Sequence, residues 1–401
     1  MRLILLPACV LLIAADWTGW RGPHRDGVLV AEPKDWPEKL NLKWKVTVGE
    51  GHSSPILAAG SIHVFARQDG QETVLSIDPS NGAVRWRQQY PAPYQMNPAA
   101  SAHGEGPKAT PLYANGRLYT LGISGILSSF DAETGKLRWR KEFSRQFKST
   151  SPMFGTAMSP LVDGALLIAH VGGHDSGALA AFDLETGNVK WSWNGDGPAY
   201  ASPIAVELGG VRQIVTQTQQ NIIGVAANSG KLLWKIPFTT QYVQNIVTPV
   251  VYRDTLILSG LAKGVMAVRL VRKGDEWSPQ TVWRNEEASM YMNSPVVMGD
   301  LVFGFSHLKR GQFFCLDART GGTLWTGPPR QGENAAMLIS PGSLVALTND
   351  SQLLIAKPSG KSFDVIRRYT VADSPTWAHP LVLPDGVVIK DAKTLARWSV
   401  D

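Results

Sequence analysis

The sequence predicts an all-β fold: an eight-bladed β-propeller of four-stranded antiparallel blades, its ring closed by the N-terminal strand. Three observations carry this. A turn-and-tryptophan motif recurs along the chain. A short proline motif precedes most copies. A lone tryptophan-bearing strand opens the series, while the last repeat is one strand short. An ordinary chain of 401 residues would divide into two or three domains, but a repeat fold grows by adding units.

The first motif is Asp, then Gly four residues on, then Trp four residues after that. It reads Asp78, Gly82, Trp86; Asp131, Gly135, Trp139; Asp183, Gly187, Trp191; and Asp317, Gly321, Trp325. The copy with Gly230 and Trp234 has lost the Asp, and 274–283, ending at Trp283, is a stretched, degenerate copy. Each residue type has a physical task. Asp accepts from backbone amides just ahead and starts the turn. Gly takes the positive φ of a tight hairpin. Trp stands on the following strand, where a large flat ring fills space against the neighbouring unit.

The second motif is Ser, Thr or His before Pro, at Ser54, Thr110, Ser159, Ser202, Thr248, Ser294 and His379, each leading into an apolar strand. Turn pairs such as Asn115-Gly116 and Asp163-Gly164 follow, so each unit is a meander of short strands. One such sheet cannot bury both faces alone; radial stacking does. An eighth unit, between Trp325 and Trp377, lacks the proline, and there Tyr369 is expected in the Trp position. The final unit runs out of chain after three strands. The strand 42–46 with Trp44 is expected to supply its missing outer strand, leaving no open edge.

Composition agrees. Hydrophobic residues make up 44%, enough for a large core, and Gly 39 and Pro 26 suit many tight turns. The net charge of +6 is spread without a run of five basic residues, so a solvated surface is read and nucleic acid is not expected as a partner. Residues 1–15 have a signal-peptide pattern: Arg2, an apolar run to Ile13, then Ala14-Ala15. A lipid anchor at Cys9 is the rival reading, since 6–9 is a poor lipobox. The chain is therefore expected in the periplasm or secreted. Residues 16–41 are read as an N-terminal segment packing on the propeller, and 42–401 as the propeller itself. No transmembrane span is expected. With Cys9 removed, Cys315 has no partner and reads as a small core residue.

These repeats resemble the pyrroloquinoline-quinone propeller repeat from about Leu42 to the C-terminus. One branch of that family comprises the quinoprotein alcohol dehydrogenases. Another looks like BamB, a cofactor-free propeller lipoprotein of outer-membrane protein assembly. A third is a set of exported propellers of unassigned role, which open with a segment like Trp20-Arg21-Gly22-Pro23 through Gly27. That set also carries motifs like Gly106-Pro107-Lys108 and Thr376-Trp377-Ala378-His379-Pro380; this chain looks most like it. The resemblance implies a non-catalytic binding or scaffolding module with an envelope protein or glycan as partner, acting as a monomer. The alternative is a quinone-dependent alcohol or sugar dehydrogenase with calcium. Such enzymes pack a disulfide between adjacent cysteines on the quinone, and no adjacent pair exists here. No cofactor is therefore expected outside that alternative.

In a propeller the residues leading into the innermost strands rim a central funnel. Here these are His52, Lys108, Tyr200, Asn245, Tyr291, Asn293, Trp377 and His379. Aromatic rings beside amide and charged groups suit a sugar or small organic ligand; the competing reading is that a funnel mouth must be lined by something. Among these positions there is no carboxylate for calcium, although Glu105 or Glu333 could reach in from loops. His103 is placed near Lys108 in the same loop. His170 and Gly172-Gly173-His174-Asp175 are placed on a strand end and a Gly turn, and a solvated loop is read there rather than a metal site. Trp17 and Trp20 precede any blade, and 20–27 is expected to fold over one end, by packing or with Arg21 and Arg25 paired to blade carboxylates.

Overall fold

The computed structural model describes residues 16–401, so the leader pattern and Cys9 lie outside the described residues. It contains eight separate four-stranded antiparallel sheets, each a meander in chain order except the last. The blades span 56–91, 112–141, 161–193, 204–237, 250–285, 296–326, 335–370 and, with the strand Asn41–Thr47 on its outer edge, 381–399. Asn41–Thr47 runs antiparallel to Thr394–Ser399, pairing Asn41 with Ser399 and Thr47 with Thr394. The ring closes as the lone Trp44 strand and the short last repeat required. No helix among the described residues is long and apolar enough to cross a membrane.

The motif works between blades as well as within them. Each Trp sits one residue from a bulge in its outer strand, opposite Ser76, Ser129, Ala181, Gly224, Ala267 or Cys315. The rings of Trp86, Trp139, Trp191 and Trp283 cross to the next blade and lie on the motif glycine there. A Cβ on Gly135 would come 2.6 Å from Trp86, and one on Gly321 would come 2.4 Å from Trp283. The indole N–H then donates to the second residue of that blade's turn: Trp86 to Ala132, Trp139 to Leu184, Trp191 to Ala227, Trp283 to Ala318. The Asp carboxylates accept from turn amides as expected, at Ser80, Thr134, Thr186 and Arg319. The glycine thus meets two demands, positive φ and a bare surface for the ring.

Two departures follow from this geometry. The stretched copy is a long hairpin, Val265–Lys273 with Glu276–Asn285, without the Asp turn. Trp234 finds no turn carbonyl there and donates to Gln213 Oε1 of its own blade at 2.7 Å. In the seventh blade the register position of the Trp belongs to Arg367, opposite Ile355 beside the bulge; Tyr369 lies two residues further, opposite Leu353. The eighth blade is built from both chain ends and has no outer hairpin turn for a ring to reach. Residues 36–37 fill that place, and Arg367 Nε donates to Trp36 O at 2.9 Å and Pro37 O at 3.0 Å.

The Ser/Thr-Pro motif also has an inter-blade role beyond starting a strand. Each hydroxyl accepts the backbone amide of the equivalent residue in the preceding blade. The bonds run from His379 to Ser54, then to Thr110, Ser159, Ser202, Thr248 and Ser294, at 2.9–3.1 Å. The girdle is interrupted at the seventh blade, which has Ala335 and Ala336 in its first strand instead.

Residues 17–29 cross the axis at the end opposite the long loops. Trp17 bridges Leu57 of the first blade, Thr18 O accepts from Tyr113 N of the second, and Val28 bridges Ile339 of the seventh. Arg21 and Arg25 are buried. Arg25 donates to Pro160 O at 2.7 Å and Ser159 O at 3.0 Å, and Arg21 to Pro295 O. Arg21 also donates to Asp26 O at 2.8 Å, so the partners are backbone carbonyls, not the blade carboxylates considered from sequence. Burial lowers the pKa of Arg21 to about 10; burial and then Arg21 lower that of Arg25 to about 9. Cys315 is buried and free, its thiol pushed up to about 12 by burial.

Candidate functional site: the axial cavity

The Gly51-His52 segment is placed by the second blade's approach. His52 and Ser53 both donate their amides to Pro107 O, at 2.8 and 3.1 Å. A Cβ on Gly106 would come 2.3 Å from Glu50 O, so only glycine permits this crossing. The same arrangement recurs where Tyr200 and Ala201 donate to Asn245 O. The side chain two residues before each Pro-motif Ser, Thr or His therefore faces the axis. These are His52, Lys108, Ala157, Tyr200, Ile246, Met292 and Trp377, and all seven line one cavity of about 420 Å³.

Seven of the eight rim residues read from sequence lie on this cavity: His52, Lys108, Tyr200, Tyr291, Asn293, Trp377 and His379. Asn245 does not. It stands one residue out of register and is fully buried. Its Nδ2 donates to Thr218 O, Gln219 O and Phe238 O, and its Oδ1 accepts from Thr240 Oγ1. It is a strut that holds the loop 238–247 against its blade.

Sequence reading left out Trp20, Phe154, Gln244 and Asn334, which also line the cavity. The two-residue offset from the Pro motif was the available signal for Ile246, Met292 and Ala157. Trp20 and Phe154 belong to segments outside the repeat, so no periodicity marks them. His103, noted from sequence only as a neighbour of Lys108, closes one wall. It packs edge-on to Trp377 at 4.7 Å and to His52 at 5.8 Å. Opposite, Phe154 stacks on Tyr200 at 6.1 Å. Trp20 meets His379 at 5.7 Å, and the guanidinium carbons of Arg21 and Arg25 lie 5.5 and 5.6 Å from its ring.

Lys108 is the charged side chain of the lining at neutral pH, and no carboxylate lines the cavity. Its Nζ donates to Phe154 O at 2.6 Å. Burial lowers its pKa to about 8. His52 is pushed down to about 3 by burial, then by Lys390, His103 and Lys108; His379 falls to about 3 by burial and then by Arg21. Both imidazoles are neutral at pH 7. Outside, a cavity of about 650 Å³ shares His103, Tyr291 and Trp377 and adds Arg310, Arg330 and Glu333. Glu333 thus stands at the mouth, while Glu105 lines neither space.

The profile of the family described as outer membrane protein assembly factor BamB matches residues 70–327. The chain belongs to this family of propellers. The match to the BamB family begins beyond the opening segment that carries Trp20. A BamB of Burkholderia pseudomallei (strain K96243) is 24% identical over 355 residues, covering 83% of this chain and 82% of its own. The crystal structure of BamB from Moraxella catarrhalis superposes with a TM-score of 0.62 at 15% identity, covering 90% of this chain and 100% of that one. The quinohemoprotein alcohol dehydrogenase ADHIIG of Pseudomonas putida HK5 superposes with a TM-score of 0.69 at 12% identity, covering 96% and 80%. At these identities the structural likenesses speak to the fold alone.

His170 and His174 were considered from sequence as metal ligands and set aside. The strand end and turn lie as read, in the strand Leu166–Gly173 and the turn at His174-Asp175, but His170 is buried rather than solvated, with Nε2 3.2 Å from Asp196 O. Among the described residues no group of three or more His, Cys, Asp or Glu side chains is placed to hold a metal.

Proposed function

We propose that this chain is a non-catalytic exported propeller, a monomer that serves as a binding or scaffolding module in the periplasm or cell envelope. It presents the cavity face to an envelope protein or glycan. The observation that carries this reading is the cavity lining: aromatic rings, hydroxyls and amides, with Lys108 and no carboxylate. A calcium-held quinone needs several oxygen ligands and a carboxylate base beside the ring. The amides Gln244, Asn293 and Asn334 alone do not make that set, and the ammonium of Lys108 opposes a cation there. Membership of the BamB family, and relatives named as outer membrane protein assembly factors, favour an envelope setting. The leader pattern at 1–15 favours export.

The test has two arms. The purified protein is mixed with pyrroloquinoline quinone and calcium and assayed for dye reduction with alcohols and aldoses; no turnover above a cofactor-free control is expected. A photo-crosslinker at the exposed Tyr242, on the cavity face, is expected to capture a discrete envelope component that one at Leu137, on an outer blade edge, does not. Cofactor-dependent turnover overturns the reading.

A further inference from the structure

We infer that the axial cavity binds an acidic sugar, with Lys108 taking its carboxylate or sulfate and the aromatic walls taking its ring. This rests on the reading of the cavity as a binding site and adds the ligand class.

Lys108 supplies the charge argument. Its ammonium carries three N–H donors and spends one, on Phe154 O. Burial lowers its pKa with no carboxylate offsetting the shift, so the cation has no counter-charge of its own. The surroundings reinforce the sign. Beneath the floor, Arg21 and Arg25 are buried on backbone carbonyls. At the mouth, Arg310 and Arg330 outnumber Glu333. Such a funnel draws anions inward.

The hydroxyl girdle supplies the polyol argument. Ser54, Ser202, Thr248 and Ser294 all line the cavity. Each oxygen accepts one amide from the neighbouring blade. None donates its own hydrogen to an atom of the described residues, so four O–H donors remain for a ligand. Beside these donors the lining holds the unpartnered amide oxygens of Asn293 and Asn334, so the matching ligand both accepts and donates, as a polyol does.

The walls supply the ring argument. The Trp377 and His103 rings on one side, Tyr200 and Phe154 on the other, and Trp20 below present apolar faces for the C–H face of a pyranose. The cavity of about 420 Å³ falls in the usual range of about 300–1,000 Å³ for small-molecule sites. A flat fused aromatic acid would use the walls, Lys108 and the hydroxyl donors, but it has few O–H groups to give the unpartnered amide oxygens of Asn293 and Asn334, which a sugar supplies.

The test is calorimetry on the intact folded protein. The probes are galacturonate and glucuronate oligosaccharides and glucose 6-sulfate, set against neutral gluco-oligosaccharides and pyrroloquinoline quinone. At least one acidic sugar is expected to bind at least tenfold tighter than its neutral counterpart and to weaken with salt. Lys108→Met is expected to cost at least tenfold and Trp377→Ala a comparable loss, while Lys361→Ala, on the exposed outer surface, changes nothing. Should Lys108→Met not fold, the acid-against-neutral comparison and the salt dependence on the unaltered protein decide. No binding by any acidic sugar, equal binding of neutral sugars, tighter binding of the quinone, or undiminished binding by folded Lys108→Met overturns the inference. None of these outcomes involves turnover, so failure here is separate from failure of the non-catalytic reading.

Discussion

The indole Nε1 of Trp44 donates to the carbonyl oxygen of Pro79 at 3.0 Å, and its ring lies over Gly82, 2.9 Å from where a Cβ would stand. One residue near the start of the chain thus ties the last blade to the first. Trp44→Ala removes the indole bond and empties a buried ring site. It should lower stability by about 3–5 kcal/mol, as truncation of a buried Trp does. Deleting residues through Val48 should go further, exposing the edge of Thr394–Ser399 and giving aggregation and a non-cooperative melt. Thermal melting and size exclusion check both; a truncated chain that melts like the full one would rule out closure by this strand.

The bare glycine surface can be separated from the left-handed backbone by comparing two positions. Gly135 and Gly116 have φ of +73° and +74°, but a Cβ would meet Trp86 at 2.6 Å on Gly135 and nothing within 4 Å on Gly116. Gly116→Ala should therefore cost only the backbone penalty of about 1 kcal/mol. Gly135→Ala should cost that plus displacement of the ring, about 1–3 kcal/mol more. Denaturant unfolding of the two variants reads the difference; equal losses would mean that the ring moves away freely.

The fold was legible because its repeat is written in residues with single physical tasks: Asp for the turn, Gly for positive φ, Trp for the next blade. Where a task passes to another residue, the reading slipped. Arg367 holds the Trp register because its ring-receiving turn is missing and two carbonyls at 36 and 37 await a donor instead. Tyr369 was the natural choice from sequence, being the aromatic of the strand Val365–Thr370. The cavity was legible at the residues just before and within the Pro motif. Asn245 fell outside although Tyr291, in the same register before Ser294, lines the cavity: the Asn245 amide is drawn instead to the carbonyls of Thr218, Gln219 and Phe238, which the sequence does not mark. Trp20 and Phe154 come from segments without repeats, and only the folded chain brings them to the axis.

Asn245 gives a direct check on that correction. Asn245→Ala leaves the carbonyls of Thr218, Gln219 and Phe238 without their shared donor. The expected loss is about 2–4 kcal/mol, from several buried acceptors left unsatisfied. Binding of an acidic sugar to the folded variant at low temperature should stay within about threefold of the parent. Calorimetry beside denaturant unfolding tests it: a binding loss with unchanged stability would return Asn245 to the cavity wall.

Glu72 predicts a pH dependence of stability. It stands in the strand Gln71–Ile77 and reaches the second blade, where Ile123 N donates to its Oε1 at 2.6 Å and Gly122 packs against the carboxylate. Burial raises its pKa from the ordinary 4.5 to about 7, against the lowering effect of Tyr90, the Ile123 amide, Arg67 and Arg140. The folded state therefore holds this proton more tightly than the unfolded chain. Stability from this group is complete below about pH 4.5, falls as pH rises to about 7, and stays at the lower level above it. The span of that loss is at most about 3 kcal/mol. Glu72→Gln keeps an oxygen acceptor for Ile123 N and cannot ionise. The variant's stability relative to the parent should thus climb in its favour between pH 5 and pH 8. Denaturant unfolding at pH 5, 6, 7 and 8 measures the difference. A difference that is flat across this window, or that turns against Glu72→Gln above pH 7, would show that the surrounding donors and arginines hold the carboxylate charged despite its burial.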